Sequence, residues 1–223
     1  MRRYPYLLPV LAMALGVLGV ALALSLSRRF ELVTHCRVFI DGCISISAAG
    51  RREPAVFVFR ATIIPMATLL MVIWWLNVRW LRELGVRSFV IGPALYLFGI
   101  FSPALLIVYI ALIGAPGEPA HAIRQFAITS YFPAALVAKI VLSLVLLARR
   151  PLVINRQLPW AMLLIAIAVL MLAIASVVLE IVLDDPSRAH HLMQWHGTSA
   201  YAVWYLLLGL AWFSAAGRQA QSS

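Results

Sequence analysis

Six apolar runs constrain this chain more than any other feature. They fall at residues 6–26, 55–77, 88–113, 122–148, 160–183 and 195–214. A run of ~20 apolar residues is long enough to cross ~30 Å of hydrocarbon as a helix. Lipid supplies no hydrogen-bond partners, so a spanning backbone must satisfy its own polar groups, which a helix does. Outer-membrane strands would instead alternate apolar and polar residues over segments of ~10, a pattern the chain lacks. The hydrophobic fraction of 64% and mean hydropathy of +0.97 also exceed what a soluble chain of this size can bury. The expected fold is an all-α integral membrane protein, one domain over residues 1–223. It is a six-transmembrane helix bundle with a large first extracytoplasmic loop.

The first run, preceded by Arg2 and Arg3, has Ser25-Leu26-Ser27 as a small-residue cleavage candidate. It is longer than the 7–15-residue core of a signal peptide, so we read it as a retained first span. Pro93 and Pro103 predict kinks in the third span, and the stretch Gly114 to Pro119 predicts a turn.

The net charge of +10 is carried almost wholly by arginine, Lys139 being the single lysine. The arginines sit in short loops and not along one stripe, so they point to topogenesis and anionic headgroups, with no nucleic acid as partner. With the N-terminus inside, Arg2, Arg3, Arg79, Arg82, Arg87, Arg149, Arg150, Arg156 and Arg218 are cytoplasmic. Arg28, Arg29, Arg37, Arg51, Arg52 and Arg188 are then outside. This bias predicts that both termini are cytoplasmic. It also places His35, His121, His190, His191 and His196, with every acid except Glu83, at or near the outer face. The membrane would be the inner membrane of a bacterium, or a Golgi, ER or lysosomal membrane in a eukaryote.

The longest polar interruption, residues 34–60, is where chemistry would be built. Ser45 and Ser47 alternate with Ile44 and Ile46, so in an extended segment they share a face. Such serines act as nucleophiles beside a base, or cap and bond the local backbone. Cys36 and Cys43 either form a disulfide or sit on a hairpin turning at Asp41-Gly42, which would separate them. The histidines offer general bases, but no HxxxH or HExxH spacing occurs. No metal site and no cofactor is expected.

Charges within spans are costly and usually face a partner in the bundle. Arg60 and Glu180 lie at similar depths and are expected to pair. Lys139 lies deeper, with no evident partner, and is expected to snorkel inward or line a cavity. Most of the seven tryptophans fall near span ends, as an interfacial aromatic belt would.

Several stretches together carry a resemblance: Thr34-His35-Cys36-x-Val38, Ser45-Ile46-Ser47-Ala48-Ala49, Glu53-Pro54 and Phe57-Val58-Phe59-Arg60. The sequence here resembles the post-GPI-attachment lipid-remodelling factors and their DRAM-like relatives, which include the N-terminal domain of a yeast cell-wall biogenesis protein. His121 with Phe126 is similar to a family histidine opening the fourth span. The chain departs from the family pattern where Asp41 stands for Asn and Ile44 for Pro. Gln194-Trp195-His196 is the nearest match to an acidic-aromatic pair in the last span.

The resemblance implies six spans and remodelling or acylation of a membrane lipid at the outer or lumenal leaflet. A bacterial chain would have no GPI anchors, and its substrate would be another lipid. In the same terms, His35 or His121 would be the base, Ser45 or Ser47 the nucleophile, and Arg60 would hold a phosphate or a carboxylate. Asp41, Glu53, Glu180, His191 and His196 would bind or support. A non-enzymatic DRAM-like role in lipid distribution or partner binding is the alternative, with membrane lipids as the partners in either case. A transporter would want broken helices or polar residues at the midplane, and only Lys139 and the two prolines lean that way.

Overall fold

The structure, a computed structural model, describes residues 6–149, 155 and 157–221, with residues 216–221 described by backbone alone. Arg2, Arg3, Arg150 and Arg156, used above to orient the chain, lie outside the described residues. Among the described residues there are eight helices and no strand. They are α1 (Leu7–Arg29), α2 (Val38–Asp41), α3 (Ile46–Ala49), α4 (Ala55–Glu83), α5 (Ile91–Ala111), α6 (Glu118–Ala148), α7 (Leu158–Val182) and α8 (Ser187–Gln221). Six of them are long and apolar enough to cross a membrane. The chain is a multi-pass membrane protein, an all-α bundle of six spans.

The spans close a ring in chain order: α1 on α4, α4 on α5, α5 on α6, α6 on α7, α7 on α8, and α8 back on α1. Small residues let α1 approach α4. Ala12, Gly16, Gly19 and Ala23 form one stripe of α1, and a Cβ at Gly16 or Gly19 would collide with Met66 or Thr62. Close approach through small residues is how helices associate where lipid competes equally for apolar surface. α7 is the most apolar span and the least buried, as expected of a helix whose outer face meets lipid. Tyr6 at the start of α1 meets Phe213 near the end of α8, with ring centroids 5.1 Å apart, so the two ends of the bundle's path lie together. The opposite end is capped by α2 and α3, which pack on α1 and α8.

Several expectations are revised. The last helix begins at Ser187, eight residues before the apolar run suggests. Asp185 accepts a hydrogen bond from the Ser187 amide (3.0 Å) and so satisfies the new helix start. The Ser187 hydroxyl foremost, then this amide, holds the Asp185 carboxyl below the usual carboxylate range. His190 and His191 are therefore helical, not loop, residues, and His196, already expected in the last span, lies more than two turns into the helix.

Pro93 falls in the first turn of α5, where no intrahelical bond is lost. Pro103 is interior, as are Pro65 in α4 and Pro133 in α6.

The tryptophans do not form a simple belt. Trp74, Trp80, Trp204 and Trp212 are fully buried and Trp195 nearly so; Trp75 and Trp160 are exposed. The reason is that the buried indoles find internal acceptors. Trp74 donates to Tyr205 Oη (3.1 Å), Trp204 to Ser143 Oγ (3.3 Å) and Trp212 to Asn77 Oδ1 (3.1 Å). These bonds tie α8 to α4 and α6 toward the end of the bundle remote from the cap. α8 thus reaches across the bundle through its indoles, although its sequence is the least apolar of the six.

Candidate functional site

The cap is built by local rules. In α2, the Asp41 carboxylate accepts the Arg37 amide (2.8 Å) and lies 3.4 Å from the Arg37 guanidinium. The backbone bond foremost, then the arginine, holds the Asp41 carboxyl below the usual carboxylate range. Gly42 ends the helix in the left-handed region (φ +60°). The Asp-Gly pair is therefore a helix terminus and not a hairpin turn. The hairpin expectation fails, and Cys36 and Cys43 are joined as a disulfide with Cα atoms 6.6 Å apart. Ser45 does not stand beside a base. It caps α3, its Oγ accepting the Ala48 amide (3.0 Å) and lying 3.0 Å from Ser47 Oγ.

The cap is fastened to α8 by three side chains from its first turns. Trp195 Nε1 donates to Ile44 O (2.9 Å), His191 Nδ1 to Gly42 O (2.9 Å) and His196 Nε2 to Phe39 O (3.1 Å). Ser27 of α1 donates to Ala49 O (2.6 Å) from the other side. His191 and His196 are thus supports of the cap, in keeping with a structural role.

Under the cap lies a partly open cavity of ≈ 590 Å³ between α1, α4, α5, α6 and α8. Its rim is polar: Ser47, Arg51, His121, Arg124, Gln125 and Gln194. Its deep end is aromatic and aliphatic, including Leu70, Leu106, Tyr131, Tyr201 and Tyr205. Among the described residues no carboxylate lines it. Of the residues the sequence singles out for catalysis, the structure brings Ser47 and His121 to this cavity. It buries Ser45 behind Ser47 and leaves His35 exposed in the α1–α2 loop, away from the cavity. Glu53 is exposed just before α4. Among the described residues no group of three or more His, Cys, Asp or Glu could hold a metal.

The expected Arg60–Glu180 pair does not form. α4 packs on α1 and α5, whereas α7 packs on α6 and α8. Arg60 instead donates through Nε to Ile110 O (3.3 Å) and through Nη2 to Ile113 O (2.6 Å), satisfying carbonyls at the C-terminal end of α5. Glu180 lies 4.0 Å from His190 Nε2 and is largely exposed.

Lys139 neither snorkels nor lines the cavity. It is fully buried, its Nζ over the rings of Tyr201 (3.9 Å), Tyr205 (4.7 Å) and Trp204 (5.5 Å), with the Ala135 carbonyl at 3.5 Å.

Sequence reasoning missed Arg124 and Gln125. The signal was present: residues 121, 124, 125, 128 and 132 follow helical spacing on one face of α6, and all line the cavity. Arg124 Nη1 donates to Leu112 O (3.3 Å) and Ala115 O (3.5 Å), while no hydrogen bond among the described residues takes its Nε or Nη2.

The fold and site define a multi-pass helical membrane protein with an amphiphilic cavity under a disulfide-closed cap. No family model, no curated protein and no solved structure matches the chain.

Proposed function

We propose that the protein handles a membrane lipid of the leaflet at the cap end, holding it in the capped cavity as the first step of remodelling. The observation that carries this is a single cavity with apolar walls and a polar rim that includes both Ser47 and His121. Apolar walls with a few convergent polar groups are the usual form of a small-ligand site. The resemblance to lipid-remodelling and DRAM-like factors supports the same class of substrate. In an acyl transfer, His121 would take the Ser47 hydroxyl proton as the oxygen attacks an ester carbonyl, then return it to the leaving alcohol.

Non-enzymatic lipid binding is the second reading, favoured by one specific contact. Ser47 Oγ meets the Ser45 hydroxyl and no imidazole. In both readings the cap faces the extracytoplasmic or lumenal side and the termini are cytoplasmic. A disulfide in the cap suits an oxidising compartment, and Arg79, Arg82, Arg87 and Arg149 suit the cytoplasmic side.

The test is whole-lipid mass spectrometry on membranes from a deletion strain, complemented with wild type, His121→Ala or His35→Ala at equal expression. Remodelling predicts that one lipid class changes its acyl chains in the deletion, and that wild type and His35→Ala restore it while His121→Ala does not. Restoration by His121→Ala would remove His121 from the chemistry, and unchanged lipids throughout would remove the remodelling role and leave binding.

A further inference from the structure

The dimensions and charge of the cavity say more about its ligand than that it is a lipid. Four helices line it over matching lengths: α1 from Met13 to Leu24, α4 from Phe59 to Leu70, α6 from His121 to Phe132 and α8 from Gln194 to Tyr205. Each stretch advances about eleven residues, which at ~1.5 Å per residue gives a depth of ~16 Å. Half of a ~30 Å hydrocarbon core is ~15 Å, the reach of one leaflet's acyl chains. The cavity is therefore as deep as one chain is long, and its polar rim lies where that chain's headgroup would sit.

The rim is also electrostatically one-sided. Arg51 and Arg124 line it with His121, and among the described residues no Asp or Glu does. The contrast with Arg60 is informative. Arg60 spends Nε and Nη2 on carbonyls of α5 and the turn after it, and lies outside the cavity lining. The Arg51 side chain makes no hydrogen bond among the described residues, and Arg124 is held through Nη1 only. A guanidinium with an open edge, on a rim that carries a second arginine, is suited to bind a phosphate oxygen pair. The neutral donors Ser47, Gln125 and Gln194 complete a shell with no competing anion.

Resting on the lipid-handling reading, we infer that the cavity takes one acyl chain of an amphiphile with an anionic phosphate headgroup, the phosphate at Arg51 and Arg124 and the chain end at Leu70, Leu106 and Tyr205. The closed deep end then acts as a length limit. A chain longer than one leaflet must leave part of its tail outside, and a bulkier side chain at Leu106 shortens the accepted length.

The test uses the full chain in nanodiscs of neutral lipid. Binding is read from quenching of intrinsic tryptophan fluorescence by brominated probes, since Trp195 lines the cavity. The probes are lysophosphatidate and monoacylglycerol of equal chain, lysophosphatidate at chain lengths from ten to twenty carbons, and inorganic phosphate as an unlabelled competitor. Lysophosphatidate is expected to bind at least tenfold tighter than monoacylglycerol, with affinity levelling off or falling once the chain exceeds one leaflet. Arg51→Gln and Arg124→Gln should each weaken lysophosphatidate at least fivefold and leave monoacylglycerol unchanged. Leu106→Trp should move the length limit to shorter chains. Circular dichroism and retained monoacylglycerol binding identify variants that fold.

Equal binding of the two headgroups, or equal loss of both in folded Arg51→Gln, would overturn the phosphate assignment while leaving lipid handling intact. A chain-length series that rises without limit would overturn the single-leaflet pocket. Displacement by inorganic phosphate at the same concentration as the lipid would show a soluble phosphate site and overturn the lipid as its source. Failure of every amphiphile to bind would overturn the lipid-handling reading as well.

Discussion

Replacing Arg60 gives the sharpest test of how this bundle is held together. Its guanidinium reaches from α4 to Ile110 O at 3.3 Å and Ile113 O at 2.6 Å. These carbonyls belong to the end of α5 and the turn after it, where intrahelical donors run out. A hydrogen bond involving a charged group contributes ~1.5–3 kcal/mol, and the longer of the two belongs at or below the lower end. A cation at a helix C-terminus adds ~0.3–1 kcal/mol where exposure is partial. Arg60→Met is therefore expected to lower stability by about 3 kcal/mol. Arg60→Lys keeps the charge but reaches only one carbonyl, and should recover roughly half of that. Glu180→Gln should cost less than about 0.5 kcal/mol, because its side chain is 64% exposed and its His190 contact is at 4.0 Å. The assay is equilibrium unfolding in mixed micelles titrated with a denaturing detergent. Glu180→Gln as costly as Arg60→Met, with no added loss in the double variant, would restore the ion pair and refute the carbonyl clamp.

Other expectations follow from single contacts. A protonated Lys139 places a charge mid-span at a cost of ~2.5–3.5 kcal/mol, offset by a desolvated cation–π contact of ~2 kcal/mol. Lys139→Met should change stability by less than ~1.5 kcal/mol, and a Lys139→Met/Tyr201→Leu cycle in the same unfolding assay should give a coupling of ~2 kcal/mol. No measurable coupling would mean that the ring at 3.9 Å does not hold the ammonium. Gly42→Ala must enter the left-handed region and drive its Cβ toward the Arg188 carbonyl, 2.5 Å away. It should cost at least ~1 kcal/mol and raise protease cutting within the cap, whereas Gly85→Ala, which meets no neighbour, should leave the cap intact. Asp41 has a depressed folded pKa, so its support of α2 is present above the ordinary value of 3.8 and is lost as pH falls through the lower folded value. Limited proteolysis should show the cap loosening only in that acid window, and Asp41→Asn should remove the transition; an unchanged acid transition in Asp41→Asn would assign it to another group.

The six spans were legible because crossing hydrocarbon is a property of a segment by itself. Length and apolarity decide it, and neither depends on which helix lies alongside. The turn from Gly114 to Pro119 was equally local, with Gly114 and Gly117 both at positive φ. Two of the six rim residues were legible too. Ser47 and His121 stood out by type, whereas Arg124 and Gln125 were visible only to someone who already knew which face of α6 points inward.

The remainder was decided by neighbours. Arg60 and Glu180 share a depth, but depth does not say which helices touch, and the ring order sets α4 beside α5 and α7 beside α8. Tryptophans near span ends read as interfacial until Asn77, Ser143 and Tyr205 supply acceptors from other helices. Asp41-Gly42 suits a hairpin or a helix terminus equally by composition, and the clamp from His191, Trp195 and His196 selects the second. The sequence by itself determined that this chain lives in a membrane, because the solvent acts on each segment separately. Only the tertiary structure decided which polar groups meet over the cavity, because that depends on the pairing and rotation of helices far apart in the chain.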